Sequence, residues 1–300
     1  MIFAKGHGTG NDFVILPDVD DRLQLTAELV RRLCDRRAGI GGDGVLRIVA
    51  GGSGGSAPGA STVGTTAPWF MDYWNADGSI AEMCGNGIRV FARYLLDHGL
   101  AAGPELAIET RAGVRTVRQE SGELFSVDMG PVKVGGAATV STSTDGAVGG
   151  RESAYRTVRV GGKNYDGLSV DVGNPHLVIM VSEPVAGFDL AQPPAVDAAG
   201  FPDGVNVELV RPTGDRAIEM RVYERGSGET LSCGTGAVAS AAAASVAAGR
   251  WPDGSDRWLI RVPGGTLAVT PGATASVLTG PAVIVAEGEL STDWLGLSAS

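Results

Sequence analysis

Short apolar runs punctuated by glycine fill most of the chain, with a few helix-like segments between them. Val158-Arg-Val160, Leu168-Ser-Val-Asp-Val172, Ile218-Glu-Met-Arg-Val222 and Leu267-Ala-Val-Thr270 place apolar side chains at alternate positions or nearly so. That period predicts strands with one face turned to a core. Helical spacing is rarer, covering about 26 to 37, Gly87 to His98, and Gly236 to Ala248 with Gly249 as a C-terminal stop. Strands therefore outnumber helices. The predicted class is α+β, a mixed or antiparallel sheet wrapped around a helix.

The same pattern is written twice. Trp74-Asn-Ala-Asp-Gly-Ser-Ile-Ala-Glu-Met-Cys84-Gly-Asn-Gly parallels Tyr223-Glu-Arg-Gly-Ser-Gly-Glu-Thr-Leu-Ser-Cys233-Gly-Thr-Gly, and Asn75 precedes Cys84 by nine residues as Glu224 precedes Cys233 by nine. Upstream, Gly10-Asn-Asp-Phe-Val-Ile-Leu16 parallels Gly173-Asn-Pro-His-Leu-Val-Ile179, and the same interval carries Asp43 onto Asn206. The two intervals differ by 14 residues, so the first copy holds extra chain between its matched pieces. Residues 50 to 68 supply it: they are so poor in bulky apolar groups that they read as a flexible inserted loop. A similar tract at 135 to 150 follows a junction near Gly130-Pro131. Each copy is expected to run as a short strand containing Gly-Asn, a helix, further strands, and a Cys-Gly turn that opens a helix. Residues 1–129 would form one pseudo-symmetric half and 130–280 the other, with the active groups at their interface.

Composition narrows the function. Three hundred residues, 43% of them hydrophobic, are enough for real cores, and the 46 glycines carry no collagen-like period. A net charge of −10 lacks the basic footprint of a nucleic-acid or anionic-membrane partner. No window is long and apolar enough for a membrane span, and the start has no leader pattern, so a cytoplasmic protein is expected. Cys34, Cys84 and Cys233 are too few for a disulfide framework and lack zinc spacing; His7, His98 and His176 are equally scattered. Free thiols and no metal site follow. The sequence does not set the oligomeric state, and a homodimer is one assembly it allows.

Both repeated cysteines stand just before a helix, where the free N–H groups of Gly85, Asn86 and Gly87, and of Gly234, Thr235 and Gly236, favour an anion, whether thiolate or carboxylate. Inverting a stereocentre by proton transfer needs a base on one face of a carbon and an acid on the other. Two equivalent thiols meet that need, and nothing in the chain suggests a pyridoxal-type electron sink, so no cofactor is expected. A single cysteine before a helix is ordinarily a small buried hydrophobe. Recurrence at matched positions in two repeats favours chemistry for Cys84 and Cys233, whereas Cys34, in Leu-Val-Arg-Arg-Leu-Cys-Asp-Arg-Arg, has no partner and reads as core. Gly39-Ile-Gly-Gly-Asp-Gly44 fits G-x-G-x-x-G but follows a charged helical segment instead of a strand, which argues against a dinucleotide site. Arg225, beside Glu224 in the repeat, is a planar guanidinium suited to gripping a carboxylate.

Taken together, Gly8-Thr-Gly-Asn-Asp-Phe13, Asn75-Ala-Asp-Gly78, Met83-Cys-Gly-Asn-Gly-Ile-Arg-Val90, Gly173-Asn-Pro-His176, Gly204-Val-Asn206, Tyr223-Glu-Arg-Gly226 and Ser232-Cys-Gly-Thr-Gly236 resemble the ordered motifs of the diaminopimelate epimerase family over nearly the whole chain. The resemblance implies two pseudo-symmetric α+β halves, each a sheet on a central helix, with 281–300 returning to the first half. It implies interconversion of LL- and meso-2,6-diaminopimelate for lysine and peptidoglycan synthesis. Carried over, Cys233 accepts the proton from the LL-substrate and Cys84 donates on the other face. Asn75, Asn174, Asn206 and Arg225 would hold the distal amino-acid end. Asn11, Glu224 and the Gly85-Asn86 and Gly234-Thr235 amides would position the reacting end, with His176 and Glu224 tuning the thiols. One departure stands out: family members often carry Asp-Gln where this chain has Asp43-Gly44, so a glutamine contact is missing. A proline or hydroxyproline racemase shares the paired-thiol plan, but its first motif typically has histidine where this chain has Asn86. A non-catalytic amino-acid-binding protein would need no second thiol.

Overall fold

The computed structural model describes residues 1–51, 67–135, 154–197, 199–252 and 254–296; most of the tracts at 50 to 68 and 135 to 150 lies outside the described residues. The chain divides into two compact units, Met1–Asp128 together with the chain from Thr279 onward, and Met129–Leu278. The first contains β1 (Ile2–Gly8), β2 (Asn11–Pro17), α1 (Ala27–Cys34), β3 (Gly44–Ala50), β4 (Trp69–Asn75), α2 (Gly85–Asp97), β5 (Glu105–Thr110), β6 (Gly113–Gln119) and β7 (Leu124–Gly130). There follow β8 (Lys133–Val134), β9 (Tyr155–Val160), β10 (Lys163–Asp171), β11 (Pro175–Met180), β12 (Ala195–Val196), β13 (Asn206–Gly214), β14 (Ala217–Glu224), β15 (Gly228–Thr230), α3 (Gly234–Ala247), β16 (Trp258–Val262), β17 (Gly265–Thr270) and β18 (Ser276–Pro281). The last elements are β19 (Val283–Glu289) and α4 (Thr292–Leu295). The class is α+β, with sheet predominant.

The repeat persists in the strand pairing. In the first unit β1, β2, β3, β4, β5 and β6 are neighbours in that order, and only the β2–β3 and β4–β5 pairs are parallel. In the second, β10, β11, β13, β14, β16 and β17 follow the same order, with β11–β13 and β14–β16 parallel. The outer neighbour of β1 is β19, antiparallel, and that of β10 is β9, also antiparallel.

Each sheet curves around one helix. Helix α2 packs on β1, β2, β3, β4, β6 and β19, and α3 packs on β10, β11, β13, β14, β16 and β17. Ile88, Val90, Phe91, Ala92, Tyr94 and Leu95 fill the first core. In α3, Ala, Gly, Ser and Val occupy almost every position, and Gly236 to Ser245 are all buried. A helix with no polar face and no bulky side chains must be enclosed, and it lets the surrounding strands approach closely.

Several boundaries differ from the sequence expectation for local reasons. The Gly-Asn pairs mark turns at strand starts: Thr9 and Gly10 have φ of 52° and 82°, a two-residue β1–β2 hairpin in which both positions need positive φ, with Asn11 opening β2, while Gly173 and Asn174 lie just before β11. Helix α1 stops at Cys34, short of residue 37, because Asp35 Oδ1 accepts the N–H groups of Arg37 and Ala38 and turns the chain away. Its counterpart in the second copy is only a 3₁₀ turn, Val185–Gly187, hemmed in by Pro184 and a glycine. Both central helices start two residues earlier than periodicity suggested, immediately after the cysteines. Among the described residues no helix is long and apolar enough to cross a membrane.

A buried charge cluster also went unforeseen. Asp72, fully buried on β4, accepts from Arg47 (3.3 Å), from Arg111 and from Trp74 Nε1 (2.8 Å), while Arg47 also reaches Asp18 (2.9 Å) and Asp21.

Candidate active site

Cys84 is the N-cap of α2, with extended backbone, and its Sγ accepts the Gly87 N–H at 3.4 Å. The cap side chain thus meets one of the N–H groups that a helix start leaves unpaired. The thiol also donates to Asn11 Oδ1 at 3.6 Å, and that oxygen accepts from Asn86 Nδ2 at 3.2 Å. Asn11 Nδ2 in turn donates to Asp43 Oδ2 at 2.8 Å. Asp43 is paired with Arg36 (2.7 Å), which also grips Asp12, and Asp12 takes Lys5 Nζ at 2.6 Å. Buried as it is, the Asp12 carboxyl is held far below the usual carboxylate range by its bonds to Arg36 and Lys5, which outweigh desolvation. The turn before β2 and the end of α1 thereby fix Asn11 against Cys84.

Cys233 caps α3 in the same way, accepting the Gly236 N–H at 3.4 Å, and lies 3.4 Å from Thr235 Oγ1. Asn174 Nδ2 donates to that hydroxyl at 3.4 Å, while Asn174 Oδ1 accepts from His176 Nε2 at 3.0 Å. His176 Nδ1 lies 2.6 Å from Glu208 Oε1, and both side chains are fully buried. Both ring nitrogens therefore face oxygens. Glu224, at the end of β14, bonds Thr230 Oγ1 and the Cys233 thiol. Burial pushes the Glu224 carboxyl up. The Cys233 thiol is pushed well up, first by burial and then by the charges of Glu224 and Glu208.

The two clusters match in frame and differ in charge. Where the first has Phe13 and Val45, the second has His176 and Glu208. A Cβ on Gly87 would meet Leu46 and Phe13, but one on Gly236 would lie 2.7 Å from Glu208 Oε1. The second glycine of Cys-Gly-Thr-Gly thus admits a carboxylate beside the helix start. Conversely Arg89 of α2, fully buried, corresponds to Val238 of α3. Glu208 and Arg89 were not singled out in the sequence, yet each is a lone charge in an apolar run, Val205-Asn-Val-Glu-Leu-Val210 and Gly87-Ile-Arg-Val-Phe91, and that was the available signal.

Not every expected residue joins these clusters. Asn75 Nδ2 donates to Ser79 Oγ at 3.0 Å within its own turn. Asn206 is buried, donating to the Pro175 carbonyl (3.3 Å) and accepting the Arg225 N–H at 2.9 Å. Arg225 itself is exposed; its guanidinium donates to the Asp203 carbonyl, and its stem covers Gly204, whose φ is 80°. Cys34 is packed with Val14, Leu16, Val30, Leu33 and Val45, and burial raises its thiol to about 12. The amides of Gly39, Ile40, Gly41 and Gly42 donate to the carbonyls of Asp35, Leu33 and Cys34, so this glycine run has no free N–H cradle for a phosphate. At Gly44 a Cβ would sit 2.5 Å from the Trp74 carbonyl oxygen, which leaves no room for a longer side chain. Among the described residues no group of three or more His, Cys, Asp and Glu side chains is placed to hold a metal ion.

This doubled sheet-and-helix fold recurs in solved structures. A phenazine biosynthesis protein of the PhzF family from Enterococcus faecalis superposes with a TM-score of 0.62 at 14% identity, over 97% of this chain and 98% of that one. A hydroxyproline epimerase from Agrobacterium vitis gives 0.59 at 15% identity, over 99% and 97%. At such identities the likeness establishes the fold. The family model for diaminopimelate epimerase matches residues 3–135 and 168–285. Diaminopimelate epimerases of Thermobifida fusca and Mycolicibacterium smegmatis are 50% and 47% identical to it, over 97% and 98% of this chain and 98% of each relative. The chain belongs to the diaminopimelate epimerase family.

Proposed function

We propose that Cys84 and Cys233 are the proton-transfer groups with which this chain epimerises diaminopimelate, converting the LL to the meso isomer on the way to lysine. The observation that carries the assignment is the repeated cap: in two topologically matched units a cysteine Sγ accepts the third N–H of the central helix, amid buried amides and carboxylates. In the reaction a thiolate removes the α-proton and the other thiol delivers its own proton to the opposite face, so one C–H bond breaks, one forms, and the two sulfurs exchange protonation states. Helix N-terminal amides would stabilise the α-carboxylate as negative charge builds on it. Asn11, Asn86, Glu224 and Thr235, with the Gly85 and Gly234 amides, would position the reacting end; Asn75, Asn174, Asn206 and Arg225 would hold the distal end; His176 and Glu224 would tune the thiols. No step calls for a cofactor.

Incubation in deuterium oxide with LL-diaminopimelate, meso-diaminopimelate, lysine and proline tests this. Deuterium should enter the α-carbon of the diaminopimelate isomers, with loss of stereochemical purity. Exchange confined to proline would favour the racemase reading, and exchange that survives removal of both thiols would overturn the assignment.

A further inference from the structure

Among the described residues Arg89 is the bulkiest fully buried side chain. It follows Cys84 by five residues on α2, and its side chain turns back toward the helix start, where Nη1 donates to the Gly85 carbonyl (2.8 Å) and Nη2 to Asn86 Oδ1 (2.9 Å). Nη2 also reaches Thr9 Oγ1 (3.3 Å), and Nε reaches the Pro281 carbonyl (3.4 Å). Every acceptor is neutral, and among the described residues no carboxylate pairs with it. Space for it is tight, since a Cβ on Gly8 would stand 3.0 Å from Nη2. Burial lowers the guanidinium to about 10, so it stays charged at neutral pH, and the opposing charge it feels is that of Cys84. A cation at a helix N-terminus lies at the wrong end of the dipole. Leaving one buried there without an anion is strongly unfavourable.

We infer that Arg89 is a positioning residue whose buried charge makes Cys84 the first of the two thiols to ionise: the protonated Cys84 donates to Asn11 Oδ1, and once ionised it is the base, the reverse of the order that the family resemblance implies for the LL-substrate. Asp43 and Asp12, reached through Asn11 and β2, are met by Arg36 and Lys5. Around Cys233 the groups differ, with Glu208 bonded to His176. Valine stands at the position of Arg89, and Glu224 and Glu208 flank the sulfur. Two clusters with one frame thus bias one proton toward the second. The inference rests on the two-thiol reading, but its measurement does not require turnover.

The test is the pH dependence of iodoacetamide alkylation in the intact enzyme, each cysteine being followed by mass spectrometry of its peptide. In the wild type the Cys84 midpoint should lie below that of Cys233. Arg89→Met should raise the Cys84 midpoint by about one pH unit or more, leave that of Cys233 in place, and move the acid limb of the activity profile with it. Arg89→Lys should restore most of the difference, which a purely structural role would not do. Cys233 titrating first in the wild type, or an unchanged Cys84 midpoint in folded Arg89→Met, overturns the inference; the wild-type order decides it even if that variant does not fold. Loss of the two-thiol reading would show differently, as turnover indifferent to Cys84→Ala.

Discussion

Cys34 and Cys84 lie in one unit and carry the same functional group in opposite settings. Replacing Cys84 or Cys233 by alanine should abolish epimerisation with little change in thermal unfolding, because each thiol serves one face of the carbon; near-normal turnover in either variant would refute the assignment. Cys34→Ala should leave turnover intact. Its effect belongs to stability: the folded thiol stays protonated to about 12 while the unfolded one ionises near 9.0. The folded value is the raised one, so the thiol's contribution is complete below 9 and is lost as pH climbs from 9 toward 12, at up to about 1.4 kcal/mol per pH unit. Urea unfolding at pH 7, 9 and 10 should show that slope in the wild type and a flatter one in Cys34→Ala; identical slopes would contradict the assignment of its environment. Arg225 calls for a modest number. A buried guanidinium would be stranded by a substrate lacking the distal carboxylate, but Arg225 is exposed. Discrimination between diaminopimelate and lysine through this contact should therefore be about 1.5 to 3 kcal/mol, roughly ten- to a hundredfold. The ratio of kcat/KM values in wild type and Arg225→Ala measures it, and an unchanged ratio would remove Arg225 from the distal end. The paired cysteines were legible because they recur; Glu208 and Arg89 were not, because each occurs in only one copy and a lone charge in an apolar run is not by itself a motif.

The helix starts concentrate the chemistry, and there the glycines divide the labour. Gly236→Ala would bring a methyl to 2.7 Å from Glu208 Oε1, which His176 holds fixed, whereas Gly87→Ala meets the more yielding end of Leu46 at 3.1 Å. Alanine is better in a helix than glycine by about 1 kcal/mol, so neither change should unravel the helix. The expected result is a drop in kcat of tenfold or more for Gly236→Ala and a milder one for Gly87→Ala, read by steady-state kinetics beside thermal unfolding; equal losses would argue against a fixed Glu208. Strands and central helices were readable from period. The turn that takes Gly10, Gly173 and Asn174 out of the strands and the shortening of α1 were not, because turn φ values and the Asp35 side-chain bonds act over two or three residues, below the length at which a period can be seen.

Across the whole molecule, stability leans on a buried charge cluster as well as on apolar cores. Asp72 is fully buried and its oxygens are taken by Arg47, Arg111 and Trp74. Asp72→Ala should therefore cost about 3 to 5 kcal/mol, since it takes a buried carboxylate from Arg111, which keeps the Tyr73 and Ala81 carbonyls, and one of three from Arg47, which keeps Asp18 and Asp21. Removing Asp20, whose pair with Arg22 is exposed, should cost at most about 1 kcal/mol. Urea unfolding of both variants tests the contrast, and comparable losses would show that Asp72 is solvated. The pairing of β19 with β1 has a temporal consequence. During synthesis the second unit is a single uninterrupted stretch and has every strand it needs once Leu278 has left the ribosome, but the first unit, although made earlier, must wait for the tail of the chain with the outer edge of β1 unpaired. An unpaired strand edge is a template for adhesion to other chains. The first-made half thus matures last, and release of a nascent chain a few residues short of β19 should yield a protein whose second unit resists protease while its first is digested or aggregates.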